Sequence, residues 1–520
     1  MILQLLESHQ QKDHKIAGLE HQLQQLLRRL YGRSAERIDP KQLALFADLL
    51  KQLEQQMATS PVSPTLPQSA TLPASKPTGN GHGRRKLPAD LPRERRIHDL
   101  PEAEKLCPCC GQKRELIGQE TSEQLDIIPA QVKVIEHVRL KYACKACEAK
   151  AAETGAQIVL ASKPLSAIEK CLAAPGMLAY VTVCRFADHL PYYRLEHILA
   201  RHRIQIARST LGDWEAQTAV AIKPLVELMI EQTLASKTLH TDDTPVDVLE
   251  PGRGKTRTGR FWVYVGDDSH PYVIFDYTPS RSRDGPMTFL NGWGKDELRY
   301  LQADAFGGYD GIYRGEAGGN FVVEVACWAH ARRKFIEAQE SNLAASTQAL
   351  AYIRLLYDIE DDAEFVSPAE RARIRQERAA PILVQFRAWL LSQQAASGGP
   401  VLPKSPMGEA VTYALNQWTA LCVYLLDGEL DIDNNAAENQ QRQIALGRKN
   451  WLFCGSDNGG RTAAILFSLI ATCQRHEVNA FDYLTDVLTR IAETPISRLP
   501  ELLPDRWKAA QAANAVAAPA

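Results

Sequence analysis

No stretch of the chain approaches the roughly 20 consecutive apolar residues that a membrane-spanning helix requires, so transmembrane helices are not expected and no membrane partner is assigned. Positive charge is not in excess either. The 60 Lys and Arg face 62 Asp and Glu, a formal net charge of −2. A surface basic all over is thereby excluded, and any contact with phosphates must come from local patches. The opening residues, Met1-Ile2-Leu3-Gln4, lack the cationic-then-apolar layout of an export signal. An even, regularly spaced disulfide framework is also missing: the cysteines number 11, and four of them form two Cys-x-x-Cys pairs. That usage fits a reducing cytoplasm and a metal site better than a disulfide scaffold. What remains is ordinary globular composition, 45% hydrophobic and 23% charged. At 520 residues the chain is too long for a single core, so several domains are expected.

The order of textures along the chain defines those domains. In residues 1–57, Ile2, Leu5, Ile16, Leu19, Leu23, Leu26 and Leu30 fall on alternating three- and four-residue steps, with His9 and Lys12 at the two polar breaks. Such a seam predicts a short coiled coil and a homo-oligomer, or else an amphipathic helix packed on its own chain. Residues 58–101 are rich in Pro, Ser, Thr and Gly and read as a linker. Its basic clusters, around Arg84-Arg85-Lys86 and Arg93 to Arg96, can track phosphates or simply be solvated.

Residues 102–150 contain Cys107, Cys110, Cys144 and Cys147, two Cys-x-x-Cys knuckles flanking a strand-like stretch. Four thiolates so spaced are a natural tetrahedral zinc site, structural rather than catalytic because no position stays open. Residues 164–235 read as helices, with one over 190–199, a break near Arg203, and a second opened by Ser209 as its cap. This is the outline of a helix-turn-helix or of an ordinary helical hairpin covering the next domain.

From residue 236 to 445 strands dominate, interrupted by a helical insertion at about 336–426. Candidate strands are 238–242, 260–266, 272–277, 298–304 and 320–328. Residues 446–495 are helical again, and the Ala-rich tail of 496–520 is expected to fray beyond Pro504.

The chemistry rests on three acids far apart in sequence. Asp242 and Asp304 end two strand-like runs, and Glu438 opens a helix rich in Arg and Gln. If the fold unites them, two aspartates and a glutamate can hold two magnesium (or manganese) ions through hard oxygen ligands, an arrangement suited to in-line phosphodiester displacement. Asp243, next in the strand, points to the opposite face. Each acid alone reads as readily as a cap or a surface charge. Basic features gather nearby: Arg332, Arg333 and Lys334 after Trp328-Ala329-His330, and Arg442, Arg448 and Lys449 after Glu438, with Trp451 offering a stacking surface for a base. His330 suits either a phosphate contact or a packed structural role.

The segments His240-Thr241-Asp242-Asp243-Thr244-Pro245, Gln302-Ala303-Asp304 with Tyr309, Trp328 to Phe335, and Asn434-Asn435 to Glu438 with Gly447 to Phe453 together resemble the large transposase subunit of the insertion-sequence sixty-six family. The order of parts agrees along most of the chain. The resemblance implies an RNase H-like (retroviral-integrase-like) mixed sheet with a DDE triad at Asp242, Asp304 and Glu438. It implies double-stranded DNA as partner, both element ends and target, small accessory proteins, and a bacterial, nucleoid-associated location. Asp243 stands where the family commonly has Glu, and Asn439 where it often has Arg. The rivals are a metal-dependent nuclease that cuts without joining and a DNA-binding protein that has lost catalysis.

Overall fold

The structure is a computed structural model describing residues 131–143 and 158–517, apart from 163, 251, 253, 320 and 395–397. The predicted coiled coil, the linker and the cysteines Cys107, Cys110, Cys144 and Cys147 lie outside the described residues. At the start of the described chain, β1 (Lys141–Ala143) pairs antiparallel with β2 (Ile158–Leu160).

Three helices follow: α1 (Pro175–Phe186), α2 (Tyr192–Arg201) and α3 (Arg208–Leu234). Ser209 does not cap α3. The N-cap is Ala207, and Ser209 lies inside the helix. Burial of Ile206 and Leu211 and the pairing of Arg208 with Glu196 at 2.7 Å draw the chain into the helix earlier than the hydroxyl predicts. Arg201, Arg203 and Arg208 are exposed around the turn. The apolar side of α3, including Leu211, Trp214, Ile222, Leu225 and Met229, is built into the same core as the sheet.

The central sheet has the order β5-β4-β3-β6-β7. β3 (Thr238–Val248), β4 (Arg257–Val265) and β5 (Val273–Thr278) form an antiparallel meander. β6 (Arg299–Ala303) joins β3 in parallel, and β7 (Val322–Ala326) joins β6 in parallel. Between β5 and β6 lies α4 (Asp284–Phe289). The predicted strands are present, and β3 runs past Asp242 to Val248 because Val246 and Val248 also face the core.

β7 leads into α5 (Trp328–Glu337) and a helical insertion containing α6 (Leu343–Asp362), α7 (Ala380–Gln393) and α8 (Pro406–Asn416). The insertion has its own core. Phe386 sits against Trp328, Tyr352, Trp389 and Trp418, with ring centroids 4.9 to 6.0 Å away. The chain returns to the sheet through α9 (Asn435–Trp451). Leu452, at φ +67°, a value an L side chain adopts only under constraint, then turns it into β8 (Phe453–Cys454). β8 pairs with the far end of β3, an element the sequence did not announce.

α10 (Asp457–Arg475) covers β5 at the edge of the sheet. The backbone N–H groups of Val273 and Phe275 donate to the hydroxyls of Thr472 and Ser468 at 3.1 and 2.8 Å. An edge that would otherwise offer unpaired donors is thereby closed. After α11 (Ala480–Arg490), residues 504–517 are helical, contrary to the expected fraying tail. Trp507 packs edge-on against Tyr483 and donates to Asp486 at 2.7 Å, and Tyr272 donates to Asp505 at 2.8 Å. These side chains dock a helix that its Ala content favours but does not anchor. Among the described residues no helix is long and apolar enough to cross a membrane.

Candidate active site

The site forms where β3, paired with β4 along one side, lacks a strand neighbour along the other. Pairing with β6 ends at His240 opposite Gln302, and pairing with β8 starts only at Asp247. Between those points α9 serves the backbone of β3. Asn434 at its N-cap donates to the Thr241 carbonyl at 2.8 Å, and Gln441 donates to the carbonyls of Asp242 at 2.9 Å and Phe261 at 3.1 Å. Arg448 donates to the Pro245 carbonyl at 2.6 Å and to the Thr244 hydroxyl at 3.2 Å. The three residues are spaced by seven, two helical turns, so they share one stripe of α9. Gln302 adds hydrogen bonds to the carbonyls of Asp431 and Asp433 at 2.7 and 2.8 Å, fixing the entry into α9. Helix and sheet are thus held in register around Asp242.

Asp242 lies on the face of β3 covered by α9. Its carboxyl accepts the Asp243 backbone N–H at 2.8 Å. Burial, together with the charges of Asp304, Asp243 and Glu438, pushes its pKa up to about 7. Asp304, one residue past β6, accepts the Phe306 N–H at 3.2 Å, and burial raises its pKa against the opposing pull of His330 and Arg281. Glu438, in the first turn of α9, has Arg333 3.5 Å from one oxygen and His330 3.5 Å from the other. Asp242 therefore feels carboxylates delivered by two other elements, Asp304 past β6 and Glu438 on α9.

Asp243 behaves differently. It faces the other side of the sheet and is almost fully buried, with Arg260 at 2.8 Å and Arg281 at 2.7 Å. Both its oxygens are engaged by guanidinium groups. Arg281 also lies 3.9 Å from Asp304 and stacks over Phe306 at 3.9 Å. Its sequence setting, Ser280-Arg281-Ser282-Arg283, gave no hint of this bridging position.

The cations predicted for phosphates divide into groups. Arg333, Lys334, Arg442 and Lys449 are exposed, Arg333 beside Glu438 and Lys334 3.8 Å from Glu337. Arg332 is half-buried on α5. Arg448 spends part of its guanidinium on the end of β3. Trp451 offers no stacking face to a base: it is buried with 9% exposure, closes on Gly447, and has Arg185 over its ring at 5.3 Å. Gln441, Asn434 and Cys327 also escaped sequence reasoning. The signal available was the seven-residue spacing of Asn434, Gln441 and Arg448.

The donor set fits divalent cations. Carboxyls held near one another at the cost of raised pKa values gain from a bound cation, and Glu438 Oε1 is buried without a hydrogen-bond partner.

A mixed α/β sheet bearing a carboxylate cluster under a helix defines a core able to carry metal-assisted chemistry. Comparison with known proteins gives the family. The model described as "Transposase IS66 family" matches residues 170–462, more than half of the chain. Further matches are the zinc-finger binding domain of transposase IS66 over 104–148, the IS66 C-terminal element over 468–504, and the transposase C of IS166 homeodomain over 18–96. Relatives in Sinorhizobium fredii include the uncharacterized protein y4hP, 32% identical over 530 residues, 97% of this chain and 91% of the relative. The uncharacterized protein y4jD is 34% identical over 445 residues, 82% of this chain and 83% of its own length. The chain therefore belongs to the IS66 family of bacterial insertion-sequence transposases, with DNA-binding and zinc-finger elements.

Proposed function

We propose that Asp242, Asp304 and Glu438 are the DDE triad of an RNase H-like (retroviral-integrase-like) core. They would hold two divalent ions, magnesium or manganese, for DNA cleavage and strand transfer. The observation that carries this reading is that Asp242 on β3, Asp304 just past the neighbouring β6 and Glu438 in the first turn of α9 come together at one place. There α9 is tied to β3 at Asp242, and burial and the neighbouring carboxylates raise Asp242 to about 7. Such ions, when bound, polarise the scissile phosphate and activate water or a 3′-hydroxyl. The protein's own part is positioning. Gln441 and Asn434 fix β3 beneath α9, and Phe306 N–H orients Asp304. Arg333, Lys334, Arg442 and Lys449, exposed around the cluster, supply charge for phosphates, joined by Arg332 and the partly committed Arg448. Asp243, paired with two arginines, is assigned to structure and not to metal binding.

In this reading the chain binds the terminal inverted repeats of its element and joins the freed 3′ ends to target DNA in the nucleoid. Cys107, Cys110, Cys144 and Cys147, all within the zinc-finger match, hold a structural zinc. The N-terminal seam pairs protomers, and small accessory proteins assist. The test is a strand-transfer assay with pre-cut element ends in magnesium. Joined product that disappears in Asp304→Asn and Glu438→Gln supports the assignment. Hydrolysis without joining would favour a nuclease, and cleavage that survives both substitutions would refute the triad.

A further inference from the structure

We propose that Cys327, His330 and Glu438 form a further cation site, selective for zinc-like transition ions, that competes with the magnesium pair for Glu438. The competition rests on the role assigned to Glu438 above; the site itself does not.

The argument begins with position. Cys327 is the N-cap of α5 and His330 stands three residues on, so both side chains lie at the start of the helix. Glu438 is in the first turn of α9. The backbone N–H of Asn434, the N-cap of α9, donates to Cys327 Sγ at 3.1 Å, which ties the two helix starts together. As a result, one ligand atom from each of Cys327, His330 and Glu438 lies within 4.8 Å of the others.

Next comes what these atoms lack. His330 Nδ1 and Glu438 Oε1 are both buried, and neither has a hydrogen-bond partner. Two buried polar atoms without a hydrogen bond are costly. They stand 3.5 Å apart, close to the separation of about 3.4 Å that two nitrogen or oxygen ligands of a tetrahedral zinc show. Sulfur, nitrogen and carboxylate donors together suit zinc or cobalt and not magnesium, which requires near-octahedral oxygen ligation. Three protein ligands leave a fourth position for water or a phosphate oxygen. The Cys327 thiol gives up its proton to solvent as the ion binds.

The experiment uses the full chain purified with zinc and passed through gel filtration in magnesium buffer. Zinc per chain is measured for wild type, Cys327→Ser and His330→Ala. Each variant is expected to carry about one zinc fewer than wild type, and wild type loaded with cobalt should show thiolate absorbance that Cys327→Ser partly loses. His330→Ala keeps the Cys327 packing and serves if Cys327→Ser fails to fold. Equal zinc in all three folded proteins would overturn the site.

Competition is read separately, as cleavage in magnesium with and without roughly micromolar zinc, each protein against its own magnesium rate. Wild type should fall by roughly tenfold or more and the variants far less. Extra zinc without inhibition would overturn the competition alone. Extra zinc in a wild type with no magnesium-supported cleavage would refute the proposed catalysis and leave the site standing.

Discussion

Glu215 and Glu360 are both carboxylates in helical surroundings, and the two cores of the molecule treat them in opposite ways. Glu215, on α3 in the sheet's core, is buried, takes a hydrogen bond from Thr182 at 3.3 Å and feels Arg185 only at longer range. Its pKa is pushed up to about 8 by burial, so the group stays neutral at pH 7. Glu360, on α6 in the insertion, receives both arms of Arg375 at 2.9 and 2.6 Å. Arg375, itself 1% exposed, also donates to the carbonyls of Tyr424 and Asp427, each at 2.9 Å. One core tolerates a lone acid by keeping its proton, and the other ties chain turns together through a paired charge. The lesson concerns the site. Asp242 and Asp304 are delivered by the sheet, while Glu438 and His330 are delivered by helix starts that the insertion braces. Trp328 N–H reaches the Ile432 carbonyl at 3.2 Å, and Tyr357 donates to Asp433 at 2.9 Å.

The largest expected effect tests whether the two deliveries converge on one chemistry. Asp304→Asn from the sheet side and Glu438→Gln from the helix side should each lower DNA cleavage on the order of 10³-fold. Their combination should cost little more, because groups acting as a unit are not additive. Cleavage rates with unchanged circular dichroism check this; a multiplicative double mutant would mean that the acids do not share a site.

Next in size is damage confined to the insertion. Phe386→Ala should cost about 3–5 kcal/mol by opening a cavity among Trp328, Tyr352 and Trp418. Arg375→Ala should cost about as much by leaving half-buried Glu360 and the carbonyls of Tyr424 and Asp427 without their partner. Hydrogen exchange should rise in α6, α7 and α8 while β3, β4 and β5 keep their protection. Equal loss of protection across both regions would erase the distinction between the cores.

A smaller effect belongs to the joint between them. Gln441→Ala strands the carbonyls of Asp242 and Phe261 and should cost about 1–3 kcal/mol. Thermal unfolding gives the stability cost. Cleavage should fall by more than that cost implies, because β3 loses its register under α9. A variant that is destabilised but fully active would show that Gln441 does not position Asp242.

How legible was this arrangement in the sequence? The strands of the sheet other than β8 were, because Val273-Ile274-Phe275 and Tyr300-Leu301 carry apolar runs bounded by turn residues. The placement of two acids at strands was, because Asp304 closes such a run and Asp242 lies in one. The side-chain ladder from α9 was not. Asn434, Gln441 and Arg448 are polar residues in a polar helix, and only the gap between β6 and β8 gives their spacing a purpose. Trp451 misled for the same reason: an aromatic beside Arg448 and Lys449 looks like a base platform until Gly447 and Arg185 are found closing over it. Long-range pairings such as Tyr272 with Asp505, which turn an Ala-rich tail into a docked helix, leave no local pattern at all.

The smallest effect returns to Glu215 and depends on pH. A folded-state pKa of about 8 lies above the ordinary value of 4.5, so the native protein holds a proton that the unfolded chain releases between those values. The stability tied to that proton is fully present below about pH 4.5 and is lost as pH rises through about 8. Glu215→Gln keeps an acceptor for Thr182 and removes the ionisation. It should cost about 1–3 kcal/mol at pH 5, where a buried amide must still find partners, and gain roughly 4 kcal/mol between pH 5 and pH 9 at about 1.4 kcal/mol per pKa unit, ending net stabilising. Thermal unfolding of both proteins at the two pH values decides. Glu360→Gln should move the opposite way, losing stability at both pH values because Arg375 is left buried without its charge partner. If Glu215→Gln also destabilised at pH 9, Glu215 would be acting as a charged group, and the contrast between the cores would fail.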